Sequence, residues 1–124
     1  MPSRDPLLYL EDILENIERA RSFAEGMSRE EFLSDHKSVY AVVRALEIIS
    51  EASRNVPEDV KERHPEVPWR DVAGAGNVYR HGYPAVETDR VWITVTQGLE
   101  DLYAAVSAEL QTLGERERDE GDVQ

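Results

Sequence analysis

Apolar side chains recur three and four positions apart along four long stretches of this chain, which is the spacing of one face of an α-helix. The first stretch opens with a proline behind Asp5, a helix-starting pair, and Gly26 follows it as a stop signal. The pattern predicts long helices over residues 6–25, about 35–55, 68–81 and about 88–113.

Shorter signals connect these helices. Ser28 and Glu31 have the spacing of a capping box, which predicts a short helix after the first one. Residues 57–63 begin with Pro-Glu-Asp and predict one or two further helical turns. Residues 91–95, VWITV, have strand propensity, but the apolar stripe that continues through them favours a helix. No segment alternates with period two between hairpin signals, so a sheet is disfavoured.

These elements predict an all-α fold, an up-and-down bundle of four main helices with short extra helical turns. The 124 residues fit one domain, expected over residues 4–113. The last helix carries Trp92 and is a candidate surface for pairing two copies into a homodimer. Gly114 is predicted to end that helix. Residues 114–124, with five acids against two arginines, are predicted to form a disordered tail.

Composition narrows the possible functions. The chain has no cysteine, which removes disulfides, thiolate metal sites and a cysteine nucleophile from consideration. Its first residues lack the apolar run of a signal peptide, and no window approaches the ~20 apolar residues that span a bilayer. We therefore expect a cytoplasmic protein without a membrane partner.

The formal net charge of −12 argues against broad binding to DNA or another polyanion. An acidic surface is also a simple solubility device. The charge is uneven, however, because residues 68–92 sum to zero, with arginines at 70, 80 and 90 against acids at 71, 87 and 89. A phosphate group is therefore expected to bind, if anywhere, in this segment.

Residues 68–92 also hold the side chains best suited to chemistry. Asn77 and His81 are four apart and share one helix face, where an amide can orient an imidazole that exchanges protons near neutral pH. Arg80 offers a fork of donors suited to phosphate. Tyr83 precedes a proline, which disfavours helix and leaves the phenol on an exposed exit. The spacing also suits a structural reading, in which His81 compensates the helix dipole and Tyr83 lies in the core.

Two further features bear on a site. Gly74 and Gly76 each cost a helix about 1 kcal/mol relative to alanine, and small residues there would let another backbone or a ligand approach closely. His36, His64 and His81 have no shared-face spacing, and the acidic residues form no metal-binding pattern with them. No metal and no cofactor are therefore predicted.

The chain resembles the HepT-like proteins, also called the domain of unknown function 86 family, within the HEPN superfamily. The resemblance covers about residues 4–113 and is carried by three segments, DPLLYLEDILENIERA, AVVRALEIISEASRNVPEDVKERHPEVPWRDVAG and NVYRHGYPAVETDRVWITV. It implies a small helical bundle that pairs as a homodimer. It also implies a metal-independent endoribonuclease, the toxin of a type VII-like toxin–antitoxin pair, whose cognate minimal nucleotidyltransferase antitoxin attaches AMP to a tyrosine.

The resemblance implies a role for several residues. His81 matches the motif histidine, Tyr83 the AMP-accepting tyrosine, and Asn77 the polar residue that follows the motif arginine. The arginine itself would fall at Gly76, so this chain lacks it. Arg80 is a candidate phosphate contact in its place, although it lies about 100° around the helix from His81.

Two hypotheses follow from this departure. In the first, the protein is an RNA-cleaving toxin that is neutralised by AMPylation of Tyr83. In the second, it is a catalytically impaired HEPN binding module, which dimerises and binds the nucleotidyltransferase without cleaving RNA because Gly76 replaces the arginine.

Overall fold

The computed structural model describes residues 5–80 and 85–122, with side chains over residues 5–75 and 88–119. Every regular element within these residues is helical, which confirms the all-α prediction. None of the helices in these ranges has both the length and the apolar composition needed to cross a bilayer. The elements are α1 (Pro6–Ala24), α2 (Arg29–Ser34), α3 (His36–Ser53), α4 (Glu58–Arg63), α5 (Trp69–Arg80), α6 (Ala85–Ile93), a π-helical turn (Thr94–Gly98) and α7 (Glu100–Asp122).

Local signals set the helix starts as the sequence predicts. Asp5 accepts the backbone N–H of Leu7 at 2.9 Å and caps α1. Ser28 and Glu31 form a complete capping box at the start of α2. Asp35 caps α3 by accepting the backbone N–H of Ser38. Each side chain satisfies an N–H group that a helix end leaves without an intrahelical partner.

One apolar core joins the long helices. α1 packs mainly against α3 and α7, and α3 packs against α5. The ring of Phe32 in α2 is fully buried, and its centroid lies 5.3 Å from that of Trp92 in α6. Trp92 is therefore partly covered within its own chain. The core places α3 as the support on which α5 rests.

The last apolar stripe is not one continuous α-helix. α6 begins at Ala85, ahead of the predicted start near residue 88, and a π-helical turn separates it from α7. Thr96 Oγ1 donates to the carbonyl of Trp92 at 2.7 Å, a local bond that competes with the regular backbone pattern. The wider turn keeps both Val95 and Leu99 buried. The prediction of helix rather than strand over residues 91–95 is confirmed, and the predicted apolar stripe does face the core. The prediction of one continuous last helix that starts near residue 88 is wrong.

The prediction that Gly114 ends the last helix is also wrong. α7 passes through Gly114 and continues to Asp122, so the described part of the predicted tail is helical. The residues after the glycine read Glu-Arg-Glu-Arg, all strong helix formers, and a single glycine costs a helix only about 1 kcal/mol.

Gly114→Ala should stabilise the protein, because a helix interior favours alanine over glycine by about 1 kcal/mol. A Cβ atom at this position meets only the Arg118 guanidinium, at 3.9 Å. Gly26→Ala is the opposite control, since the φ of Gly26 is 77°, which L side chains rarely adopt. Thermal melts followed by circular dichroism should show Tm rising by about 4 °C for Gly114→Ala and falling for Gly26→Ala. A lower Tm for Gly114→Ala would contradict a helix through this residue.

Candidate active site

The predicted site lies at the C-terminal end of α5. Positions 77 and 80 fall in the last turn of this helix, but the side chains of Asn77 and Arg80 lie outside the described side chains. His81 and Tyr83 lie outside the described residues altogether. The grouping of these four side chains therefore stays a prediction. The structure does describe what holds the first two turns of α5 in place.

The N-terminal end of α5 is held by the loop before it. Trp69 donates its indole N–H to the carbonyl of His64 at 3.0 Å, and its ring packs partly buried against the core. The carbonyl of Pro68 accepts the backbone N–H of Val72 at 3.0 Å, which completes the first turn. The start of α5 is thus tied to residue 64.

His64 in turn belongs to a charged network centred on Glu109 of α7. The Glu109 carboxylate accepts two bonds from the Arg63 guanidinium, at 2.9 and 3.1 Å, and lies 2.9 Å from His64 Nε2. The Arg63 bond, with a smaller contribution from His64, holds the pKa of Glu109 below its usual value despite partial burial, which acts to raise it. The same bond raises the pKa of Arg63. The network fixes α4 and the following loop to α7, and through Trp69 it fixes the start of α5.

The middle of α5 is held by α3. The carbonyl oxygen of Ala73 accepts bonds from Ser50 Oγ at 2.8 Å, from Arg54 Nη2 at 2.8 Å and from Arg54 Nε at 3.1 Å. Ser50 is buried, whereas Arg54 is exposed. Three donors at one carbonyl restrain α5 against α3 one turn before positions 76 and 77.

Sequence reasoning singled out neither Ser50 nor Arg54. A usable signal was present, because Ser50 interrupts the core-facing apolar stripe of α3 and Arg54 follows one turn later on the same face. The signal carried no information about the partner, since Ala73 contributes only its backbone and lies 19 residues beyond Arg54.

The other face of α5 borders an apolar groove. Val72 and Ala75 line it from α5, Ile49 from α3 and Thr94 from the π-helical turn. Gly74 is exposed, and a Cβ atom there would meet no atom within 4 Å. Packing among the described residues therefore does not require glycine at this position.

A family model described as Ribonuclease HepT-like matches residues 13–109, a range that includes all of α5 and the predicted site residues. The chain belongs to the ribonuclease HepT-like family. The resemblance inferred from the sequence is thereby confirmed. Both anchors of α5, the Ala73 contact and the Glu109 network, lie within the matched range.

Curated relatives of this HepT-like chain carry ribonuclease names. The "Probable ribonuclease HepT" of Thermococcus cleftensis is 46% identical over 94 residues, which cover 76% of this chain and 86% of that protein. The "Putative RNase MJ1216" of Methanocaldococcus jannaschii is 36% identical over 102 residues, which cover 82% of this chain and 84% of that protein. The "Putative RNase TTE0752" of Caldanaerobacter subterraneus is 36% identical over 108 residues, which cover 87% of this chain and 96% of that protein. No solved structure gives a significant match.

The described acidic and histidine side chains of this HepT-like protein form no cluster suited to a metal ion. Across residues 5–75 and 88–119, no group of three or more His, Asp or Glu side chains is arranged to hold a metal ion. The Glu109 network instead pairs its carboxylate with an arginine and a histidine.

Glu109→Gln should lower the stability of the protein near neutral pH, because it removes the acceptor charge from the Arg63 and His64 bonds. We expect a Tm about 5 °C lower at pH 7, measured by calorimetry. The folded-state pKa of Glu109 lies below the unfolded value near 4.5. Its contribution to stability is therefore present above pH 4.5 and is lost as pH falls through the folded-state pKa, so the Tm difference should shrink below pH 4.5.

Glu117→Gln, an exposed change on the same helix, is the control and should leave Tm nearly unchanged at pH 7. A Tm difference for Glu109→Gln that persists undiminished to pH 3 would contradict this account.

Proposed function

We propose that this HepT-like protein is a metal-independent endoribonuclease with its site at the C-terminal end of α5. His81 moves protons, Asn77 orients it, and a cation contacts the phosphate, with Arg80 the candidate from the sequence. The observation that carries the proposal is the family match across residues 13–109, together with relatives of 36–46% identity that are named as ribonucleases. The two anchors of α5 support it, because a catalytic helix needs a fixed position on its scaffold.

The proposed reaction is an attack of a ribose 2′-hydroxyl on the adjacent phosphorus. The 2′-oxygen forms a bond to phosphorus and gives its proton to a base, while the bond from phosphorus to the 5′-oxygen of the next nucleotide breaks and that oxygen takes up a proton. The products are a 2′,3′-cyclic phosphate and a 5′-hydroxyl. Negative charge increases on the non-bridging oxygens in the transition state, so a positively charged group beside them accelerates the step.

Gly76 favours a second candidate function, that of a binding module. The sequence places glycine where the HepT-like pattern has its arginine, and the loss of such a charge-stabilising donor costs about 10²–10³ in rate. A protein weakened to this degree would act as a binding module. It would dimerise in the cytoplasm and bind the nucleotidyltransferase antitoxin without cleaving RNA.

We further propose regulation by AMPylation of Tyr83. The tyrosine stands two residues after His81, in the position of the family's AMP acceptor, so a bulky anionic nucleotide there would occupy the site and repel the RNA backbone. The antitoxin that transfers AMP is expected to be a minimal nucleotidyltransferase, and the pair would form a toxin–antitoxin system.

Purified protein should cleave a structured RNA in the presence of a chelator, and His81→Ala should slow cleavage by at least about 100-fold, the usual contribution of a general acid or base. His36→Ala, which changes an exposed histidine at the start of α3, is the matched control and should retain the rate. Gel analysis of labelled RNA measures both. Equal cleavage by the protein and by His81→Ala would refute the nuclease assignment. Cleavage that appears only after Gly76→Arg would establish the binding module instead.

Incubation with the cognate nucleotidyltransferase and ATP should transfer an adenylyl group to the phenol of Tyr83, the proposed acceptor, and release pyrophosphate. The peptide that contains Tyr83 should then gain the mass of AMP less one water. Peptide mass spectrometry locates the modification. Tyr83→Phe should abolish it, and Tyr40→Phe should not, although Tyr40 is highly exposed at 76%. Modification at a different residue would overturn the assignment of Tyr83.

A further inference from the structure

Arg54 differs from several other arginines of the chain in how its charge is used. Arg19, Arg29, Arg44 and Arg63 each form an ion pair with a carboxylate. The Arg54 guanidinium instead donates Nε and Nη2 to the neutral carbonyl of Ala73, and among the described residues it has no ion pair. Its positive charge is therefore held in a fixed place without being neutralised by a described carboxylate.

Helix geometry shows which turn of α5 the Arg54 guanidinium lies beside. A carbonyl in an α-helix points towards the C-terminal end, to the N–H four residues on. A group that bonds the Ala73 oxygen from outside therefore lies beside the next turn, where positions 76 and 77 are the surface neighbours of residue 73. Position 76 is the glycine that replaces the family arginine, and glycine has no side chain to fill the space beside the guanidinium.

We propose that Arg54, the residue that follows the last turn of α3, contacts the scissile phosphate and supplies the positive charge that Gly76 lacks. The inference rests on the proposed ribonuclease function of the α5 site. A guanidinium has five N–H donors, and the Ala73 carbonyl engages those of Nε and Nη2, which leaves the Nη1 donors to approach a non-bridging phosphate oxygen. The bonds to Ala73 orient the group in advance, so little side-chain freedom is lost when RNA binds.

Arg54 differs from Arg80 in that the position of its guanidinium beside α5 is described. Arg80 stands next to His81 in sequence, and consecutive helical residues project about 100° apart. The Arg54 guanidinium approaches from outside α5, beside the turn that carries position 77, and its two bonds to the Ala73 carbonyl hold it there. Arg80→Ala is therefore included as the competing variant.

The test separates charge from hydrogen bonding. Arg54→Gln keeps an N–H donor for the Ala73 carbonyl but removes the charge, whereas Arg54→Lys keeps the charge. Single-turnover cleavage of a labelled hairpin RNA should slow about 100-fold or more for Arg54→Gln and less than about 10-fold for Arg54→Lys. If Arg54 serves only to bond the Ala73 carbonyl, Arg54→Gln should cleave faster than Arg54→Lys. Arg44→Ala, which removes an exposed charge from α3, is the control and should stay within about threefold of the unmodified rate. Tm values verify that each variant is folded.

The outcomes distinguish this inference from the ribonuclease proposal. Cleavage that requires His81 but is unchanged in Arg54→Gln, or is lost equally in Arg54→Gln and Arg54→Lys, overturns the role of Arg54 and leaves the nuclease intact. Loss in Arg80→Ala with none in Arg54→Gln assigns the phosphate contact to Arg80. If the protein does not cleave RNA, binding of an uncleavable 2′-O-methyl hairpin, followed by fluorescence anisotropy, decides. Binding about tenfold weaker in Arg54→Gln than in Arg44→Ala supports the phosphate contact, and equal binding overturns it.

Discussion

The contact between α3 and α5 is the constraint on which the proposed site depends. Ser50 is only 1% exposed, and a buried hydroxyl without a partner would cost stability, so its bond to Ala73 serves the fold as well as the site. Arg54 bonds the same oxygen from the exposed side. Together they determine which face of α5 rests on α3. Because α5 is fixed on α3 at Ala73, the next turn of α5, which carries positions 76 and 77, is fixed as well.

A second contact, at the start of α5, prevents the pivoting of this helix that the Ala73 contact alone would permit. One contact in mid-helix permits α5 to pivot, but the Trp69 indole ties its start to His64, which the Glu109 network ties to α7. The two anchors differ in chemistry, because one joins neutral and cationic donors to a backbone carbonyl and the other depends on an ionised carboxylate. Acid therefore weakens the start of α5 before it affects the contact at Ala73.

The features that sequence predicted are those decided within one or two helical turns. The Asp5 cap and the Ser28 and Glu31 capping box need only their own neighbours, so their spacing was sufficient. The π-helical turn was missed because the packing of Val95 and Leu99 on the core sets it, and the helix beyond Gly114 was missed because one unfavourable residue was treated as a stop. At the site, motif order identified candidates on α5 alone. The Arg54 bond joins residues 19 apart in the sequence, and the Arg63 bond to Glu109 joins residues 46 apart. No local sequence pattern connects residues so far apart.

Because the chain is acidic overall, the position and pairing of a single arginine say more about phosphate binding than the number of arginines in the chain. With a net charge of −12, long-range attraction of RNA is weak, and a phosphate has to be recognised by groups that touch it. An arginine paired with a carboxylate gains little by contacting phosphate, because it first has to give up its partner. Arg54 bonds only a neutral carbonyl among the described residues, so it has no such pair to break. Moving the cation from α5 to the C-terminal cap of α3 would preserve the electrostatics of the proposed site while leaving position 76 free for the RNA backbone to approach.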